Sequence, residues 1–155
     1  MISFSKTGKV FITCHKQLAP YLEEEVKLLG FEITASFITG VSVNASLNDC
    51  ILFNLKLRCA SQVLYSLAEF RANNANELYD EAGKIAWEKI IADPGYFSVK
   101  STVDNPTINN NLFANLRIKD AVIDRLRAIR KNRPDTGAEL KGTVISLHWK
   151  NSTAE

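Results

Sequence analysis

Most of the usual reactive side chains are scarce in this chain, and their scarcity removes whole classes of function. There are three cysteines and two histidines. Cys14, Cys50 and Cys59 are odd in number and none lies in a C-x-x-C pair. With only His15 and His148 to join them, neither a disulfide framework nor a zinc site has the required spacing. Cys14 and His15 look like a nucleophile beside its base, but in the strand-like run KVFITC neighbouring side chains point to opposite faces. No run approaches 18 apolar residues, and MISFSKTGKVFITC lacks the apolar stretch and cleavage site of a secretory signal, so a soluble, cytoplasmic protein with no membrane partner is expected. Catalytic motifs are missing too: no G-x-G-x-x-G, no P-loop, no G-x-S-x-G elbow and no evident pair of cleft carboxylates. DNPT at Asp104 to Thr107 lacks the second proline and stacking aromatic of the N-P-P-aromatic motif of amino-group methyltransferases, and it reads as a turn.

What is present is a hydrophobic fraction of 46%, enough for a real core in one ordinary domain or two small ones. The first half alternates short apolar runs with helical patterns. KVFITC reads as a strand, and LAPYLEEEVKLLGF as a helix with Leu18, Leu22, Val26 and Leu29 at helical spacing and Gly30 as its stop. EITASFITG and VSVNAS read as two strands turning near Gly40, LNDCILFNLKLRCA as a helix capped near Ser46 or Asn48, and QVLYSLAEF as a fourth strand. That order, βαββαβ, predicts a ferredoxin-like unit over residues 1–70. After RANNANE the pattern restarts. NELYDEAGKIAWEKII reads as one helix ending near DPG, YFSVKSTV as a strand, DNPTINNN as a loop with candidate N-caps, and Leu112 to Lys131 as a basic helix. TVISLHWK is a strand and KNS a hairpin turn, with only Thr153, Ala154 and Glu155 after it. A hairpin without a second arm suggests a chain cut inside a larger protein, with an open edge along Thr143 to Lys150.

The basic helix is the informative segment. Leu116 to Arg133 carries Arg117, Lys119, Arg125, Arg127, Arg130, Lys131 and Arg133 against only Asp120 and Asp124, so it is +5 while the whole chain is only +2. Leu116, Ile118, Val122, Ile123, Leu126 and Ile129 fall on one broad apolar arc, and Lys119 lies in the middle of it. Two accounts fit. The helix is a solvated element whose late cations complement its dipole, or its cations receive a polyanion while Lys119 snorkels at the edge of the core.

FITCHKQLAPYLEEEVKLLGFEI, LRCASQVLYSLAEF, ELYDEAGKIAWEKII and LRIKDAVIDRLR, in that order and spacing, resemble the N-terminal segment of the THUMP-containing bacterial ribosomal RNA methyltransferases that modify a guanine amino group. The resemblance runs from Phe11 to Lys150 and is most specific in RIKDAVIDRLR. It implies an α+β chain: a ferredoxin-like subdomain at 1–70, then an α/β THUMP domain at 71–155 whose last strand is truncated. Where the family often has serine or histidine before the basic helix, this chain has Asn109, Asn110 and Asn111, which can contact phosphate or cap the helix.

The resemblance further implies an RNA-binding segment without catalytic residues of its own. It would position large-subunit ribosomal RNA for a downstream methyltransferase domain, where the S-adenosylmethionine pocket would lie. The expected RNA contacts are Lys119, Arg117, Arg125, Arg127, Arg130, Lys131 and Arg133, with Asn110 and Asn111. Two other readings stay open: a THUMP module reading transfer RNA, and a structural docking domain with no direct RNA contact.

Overall fold

The computed structural model describes residues 4–106, 108 and 110–155. The chain folds into two compact units that divide between Leu67 and Ala68.

In the first unit, strand β1 (Thr7–Thr13) leads through a short 3-10 turn to helix α1 (Ala19–Leu28), then to β2 (Ile33–Phe37), β3 (Gly40–Ser46), α2 (Leu47–Lys56) and β4 (Gln62–Tyr65). The sheet order is β2-β3-β1-β4 with every neighbouring pair antiparallel, the ferredoxin-like arrangement. Alternation puts Val10 and Ile12 of β1 and Val41 and Val43 of β3 into a core with Leu22, Val26 and Phe53. Helix α2 starts where a capping box forms. The Asp49 carboxylate accepts the Ser46 N–H at 2.8 Å, while the Asp49 N–H donates to Ser46 Oγ at 3.2 Å. Glu25 of α1 accepts the backbone N–H groups of Arg58 and Cys59, both at 3.0 Å, and so pins the α2–β4 connection. Gly40 has φ +152°, and a Cβ there would lie 2.2 Å from the Ile12 carbonyl oxygen, so the β2–β3 turn requires glycine.

The second unit contains β5 (Phe70–Arg71), α3 (Ala75–Lys84), β6 (Tyr96–Asp104), α4 (Asn111–Arg130), β7 (Asp135–Thr136), β8 (Thr143–Lys150) and β9 (Thr153–Ala154). Its sheet runs β5-β9-β8-β6-β7, with β6 parallel to β8 from Phe97↔Thr143 to Asp104↔Lys150. Leu78, Trp87, Phe97, Leu126 and Trp149 fill the core between the helices and the sheet.

Three expectations change here. The run QVLYSLAEF is not one strand: Gln62–Tyr65 pairs with β1, whereas Phe70–Arg71 pairs with β9 in the other sheet. Its apolar content fits a strand in either sheet, and hydrogen-bond partners divide it. The helix expected to reach Ile91 ends at Lys84, because Ile85 is extended and Trp87 turns into the core, 2% exposed, donating its indole N–H to the Ala82 carbonyl at 2.8 Å. Burying the indole outweighs continuing the helix, and the Ala82 carbonyl accepts both the indole and the Ile85 N–H. The hairpin at KNS does have a second arm: β9 pairs with the end of β8, and His148 and Glu155 exchange backbone hydrogen bonds at 2.8 and 2.9 Å. Strand β8 therefore lies inside the sheet.

Candidate nucleic-acid interface

Helix α4 is anchored at its start by Asn110, its N-cap, and Asn111, its first residue; Asn109 lies outside the described residues. Asn110 Oδ1 caps the helix, accepting the N–H groups of Leu112 at 2.9 Å and Phe113 at 3.3 Å. Asn111 Oδ1 accepts the Val103 N–H at 3.1 Å, and its carbonyl accepts the Ser101 hydroxyl, which fastens the helix to β6. Both side chains thus serve the fold.

The buried face of α4 consists of Ala114, Ile118, Ala121, Val122, Ile123 and Leu126. Leu116, expected on that face, is 56% exposed and lies off it, with Ala114 and Ala121 buried on the other flank; Ile129 shares the stripe of Ile118 and Val122 but sits in the last turn of the helix, 51% exposed. The face is therefore rotated from the arc drawn through the large apolar residues. Small residues let helices approach closely, and a search for bulky side chains passes over them. The rotation moves Lys119 from the middle of the arc to its margin. Its ammonium donates to the Gly137 carbonyl at 3.3 Å, a partner inside the protein that accounts for its position without an external anion.

Three arginines are likewise engaged within the unit. Arg117 lies 4.7 Å over the Tyr79 ring and donates to Asn76 Oδ1 at 3.2 Å. Tyr79 in turn donates to Asp124 at 2.7 Å, and that hydrogen bond, aided by burial and by the negative charge of Asp124, raises the phenol's pKa. Arg125 grips Glu88 with two bonds, at 2.8 and 3.1 Å, and also donates to the Gly83 and Lys84 carbonyls at 3.0 and 3.2 Å. It caps the C-terminal end of α3, where a cation also meets the negative end of the helix dipole. The hydrogen bonds from Arg125 hold the Glu88 carboxyl well down, to about 2. Arg130 donates to the carbonyls of Glu88, Ile91 and Ala92, gathering the segment after α3 under the end of α4.

The other three cations differ. Arg127, Lys131 and Arg133 are exposed, and among the described residues their side chains have no hydrogen-bonding or ionic partner. Arg127 and Lys131 lie one turn apart, and Lys131 ends the helix in a left-handed conformation, φ 57°. Arg130 binds the Glu88 carbonyl, which brings exposed Lys89 to the same end of the helix. Sequence reading missed Lys89, because one lysine in the run WEKII carries no signal. Exposed Asp93, after the 3-10 turn at Lys89, and exposed Asp135, at the start of β7, reduce the net charge without reversing it. Chemically, this end of α4 offers exposed cationic donors to an anion. Burial raises the pKa of the Cys14 thiol and raises that of Cys50 to about 11, which makes neither a ready nucleophile.

Residues 72–150 match the family model of the THUMP domain, and residues 9–64 match that of the RlmL ferredoxin-like domain. The ribosomal RNA large subunit methyltransferase K/L of Syntrophotalea carbinolica is 34% identical over 140 residues, which is 90% of this chain and 20% of that protein. The enzyme of the same name from Dichelobacter nodosus is 36% identical over 137 residues, 88% of this chain and 19% of that protein. The chain thus spans about a fifth of the length of these curated relatives. A possible methylase from Clostridium difficile 630 superposes with a TM-score of 0.80 at 19% identity, covering 96% of this chain and 40% of that one; at that identity the likeness bears on the fold alone.

Proposed function

The chain belongs to the THUMP-domain family, and from that premise we propose that it is the RNA-binding segment of an S-adenosylmethionine-dependent ribosomal RNA methyltransferase. In this reading it positions large-subunit RNA for methylation of a guanine amino group by a catalytic domain elsewhere in a longer protein. The observation that carries the reading is the contrast along α4: four of its cations are spent on holding α3 and neighbouring loops, while Arg127, Lys131 and Arg133 stay exposed and uncommitted. Exposed cations with flexible stems are what phosphate binding needs. Arg117, Lys119, Arg125 and Arg130, with Asn110 and Asn111, act on RNA indirectly by fixing the helix that presents the other three. A ribosomal RNA substrate implies the cytoplasm.

The recess lined by Asn73, Asn105, Pro106, Asn151 and Ser152 presents amide and hydroxyl groups, and no chemical step is assigned to this segment. The work of these residues is positioning.

Titration of the chain with a large-subunit ribosomal RNA fragment and with transfer RNA, across a range of salt concentrations, tests the proposal. The ribosomal fragment should bind more tightly, with a salt slope that falls by up to about one unit for each of Arg127, Lys131 and Arg133 replaced by alanine. Preference for transfer RNA would reassign the substrate. Absence of binding at low salt would leave a docking domain.

A further inference from the structure

The cations at the end of α4 come from two separate segments. Arg127 and Lys131 are one helical turn apart and share a stripe, with Arg133 two residues beyond. Lys89 belongs to the 3-10 turn Trp87–Lys89 that follows α3. Arg130 ties the segments together: it lies off the Arg127–Lys131 stripe and donates to the carbonyls of Glu88, Ile91 and Ala92. Those carbonyls occupy its donors but carry no net charge, so its positive field remains, whereas the charge of Arg125 is cancelled by Glu88. Lys89, Arg127, Arg130, Lys131 and Arg133 thus outnumber Asp93 and Asp135, and they stand as two rows at a separation fixed by Arg130.

Two features of the surroundings say which form of RNA suits such rows. Residues 124–141 contain no aromatic side chain, and the one ring in residues 86–94 is Trp87, 2% exposed. Tyr96, the next along, lies under the Lys141 ammonium at 4.8 Å and donates its hydroxyl to Glu139. Proteins that hold single strands rely on free rings against which bases stack. Double-stranded RNA is held differently, through phosphates and ribose 2′-hydroxyls across its shallow groove. The second feature is Asn132, exposed between Lys131 and Arg133, whose side chain, like that of Lys89, has no hydrogen-bonding or ionic partner among the described residues. The amides of Asn110 and Asn111 are spent on the start of the helix; that of Asn132 is not. A neutral amide adds nothing to phosphate attraction, but it both donates and accepts, as a 2′-hydroxyl does.

We propose that this end of α4 binds double-stranded RNA, with Arg127 and Lys131 receiving phosphates of one strand, Lys89 a phosphate of the other, and Asn132 hydrogen-bonding a ribose 2′-hydroxyl in the groove between them. The proposal rests on the RNA-binding reading above and deepens it by naming the form of RNA the site takes. All of these contacts are to the sugar-phosphate backbone. The site therefore reads A-form shape and the ribose, and it leaves the choice of target nucleotide to other parts of a longer protein.

The test compares ligands on the 155-residue chain: an RNA duplex, the same duplex 2′-O-methylated throughout, an oligouridylate with as many phosphates, and a large-subunit ribosomal RNA fragment. The duplex should bind about tenfold more tightly than the oligouridylate, because each phosphate contact releases more counterion from a double strand. Lys89→Ala should lower the duplex salt slope by up to about one unit and leave oligouridylate affinity unchanged, since a single strand follows one row only. Asn132→Ala should weaken duplex binding about fivefold at unchanged slope and melting temperature. It should also erase the preference for the unmethylated duplex, because methylation keeps the A-form but removes the hydroxyl proton. Oligouridylate binding as tight as duplex binding overturns the proposal, and so does an Asn132→Ala variant that still prefers the unmethylated duplex. A slope that falls equally for duplex and single strand in Lys89→Ala would mean a diffuse positive field, which overturns it as well. If the ribosomal fragment still responds to Arg127, Lys131 and Arg133 in those cases, the RNA-binding function stands without the duplex. If no RNA binds at low salt, both fail.

Discussion

The two sides of helix α4 carry similar numbers of cations and use them in opposite ways. On the side facing α3, Arg117, Arg125 and Arg130 reach carbonyls, an asparagine, a tyrosine ring and a carboxylate, and every one of these partners is local to the unit. At the outer C-terminal end, Arg127, Lys131 and Arg133 reach nothing described. A cluster of positive charge is therefore not a measure of binding capacity. A guanidinium that already satisfies carbonyls would have to abandon them to meet a phosphate, leaving partly buried acceptors unpaired, whereas a solvated one gives up only water.

The comparison can be broken most severely at Arg125. Arg125→Ala removes the partner of Glu88 and uncaps the Gly83 and Lys84 carbonyls, and should lower the unfolding free energy of the second unit by about 2–3 kcal/mol in urea denaturation. RNA binding by the residual folded protein should keep its salt slope. A loss of slope without loss of stability would move Arg125 to the RNA side of the helix.

The same contact makes a pH signature. The Glu88 carboxyl is held at about 2, below the 4.5 of an unperturbed glutamate, so its contribution is fully present above pH 4.5 and is lost as pH falls toward 2. Because both side chains keep some solvent contact, with exposures of 25% and 20%, the contribution is about 1–2 kcal/mol. The stability difference between the original chain and Glu88→Gln should therefore shrink across that interval. A difference independent of pH would mean that the pair adds nothing through its charge.

Alanine at Arg127, Lys131 or Arg133 should change stability by less than about 0.5 kcal/mol while weakening ribosomal RNA binding severalfold. Melting curves and salt titrations on the same samples separate the two effects. The smallest change is expected for Lys119→Ala. It forfeits one hydrogen bond to Gly137, about 0.5–1 kcal/mol, and should leave the salt slope where it was. A fall in slope at Lys119 would restore it as a phosphate ligand.

The order of elements in the first unit, the cap at Ser46, the turn at Gly40 and the span of α4 were all readable from periodicity and turn chemistry. The interruption after Lys84 was not, because IAWEKII has no glycine or proline to announce it. It occurs because one tryptophan gains more by burial than the helix gains by continuing. Nor could the two ends of QVLYSLAEF be assigned to separate sheets from their composition, since β-forming residues state a preference for pairing without naming the partner.

The sequence by itself determined where charge accumulates and which segments can be helices or strands, since each of these is a property of neighbours along the chain. Only the tertiary structure decided which positive charges are already occupied, because the carbonyls of Gly83, Ile91 and Gly137 that hold Arg125, Arg130 and Lys119 lie 18 to 42 residues away and carry no mark in the sequence. Every peptide carries the same carbonyl. Whether one accepts a guanidinium depends on its being left free by a helix end or a loop and brought within reach by packing.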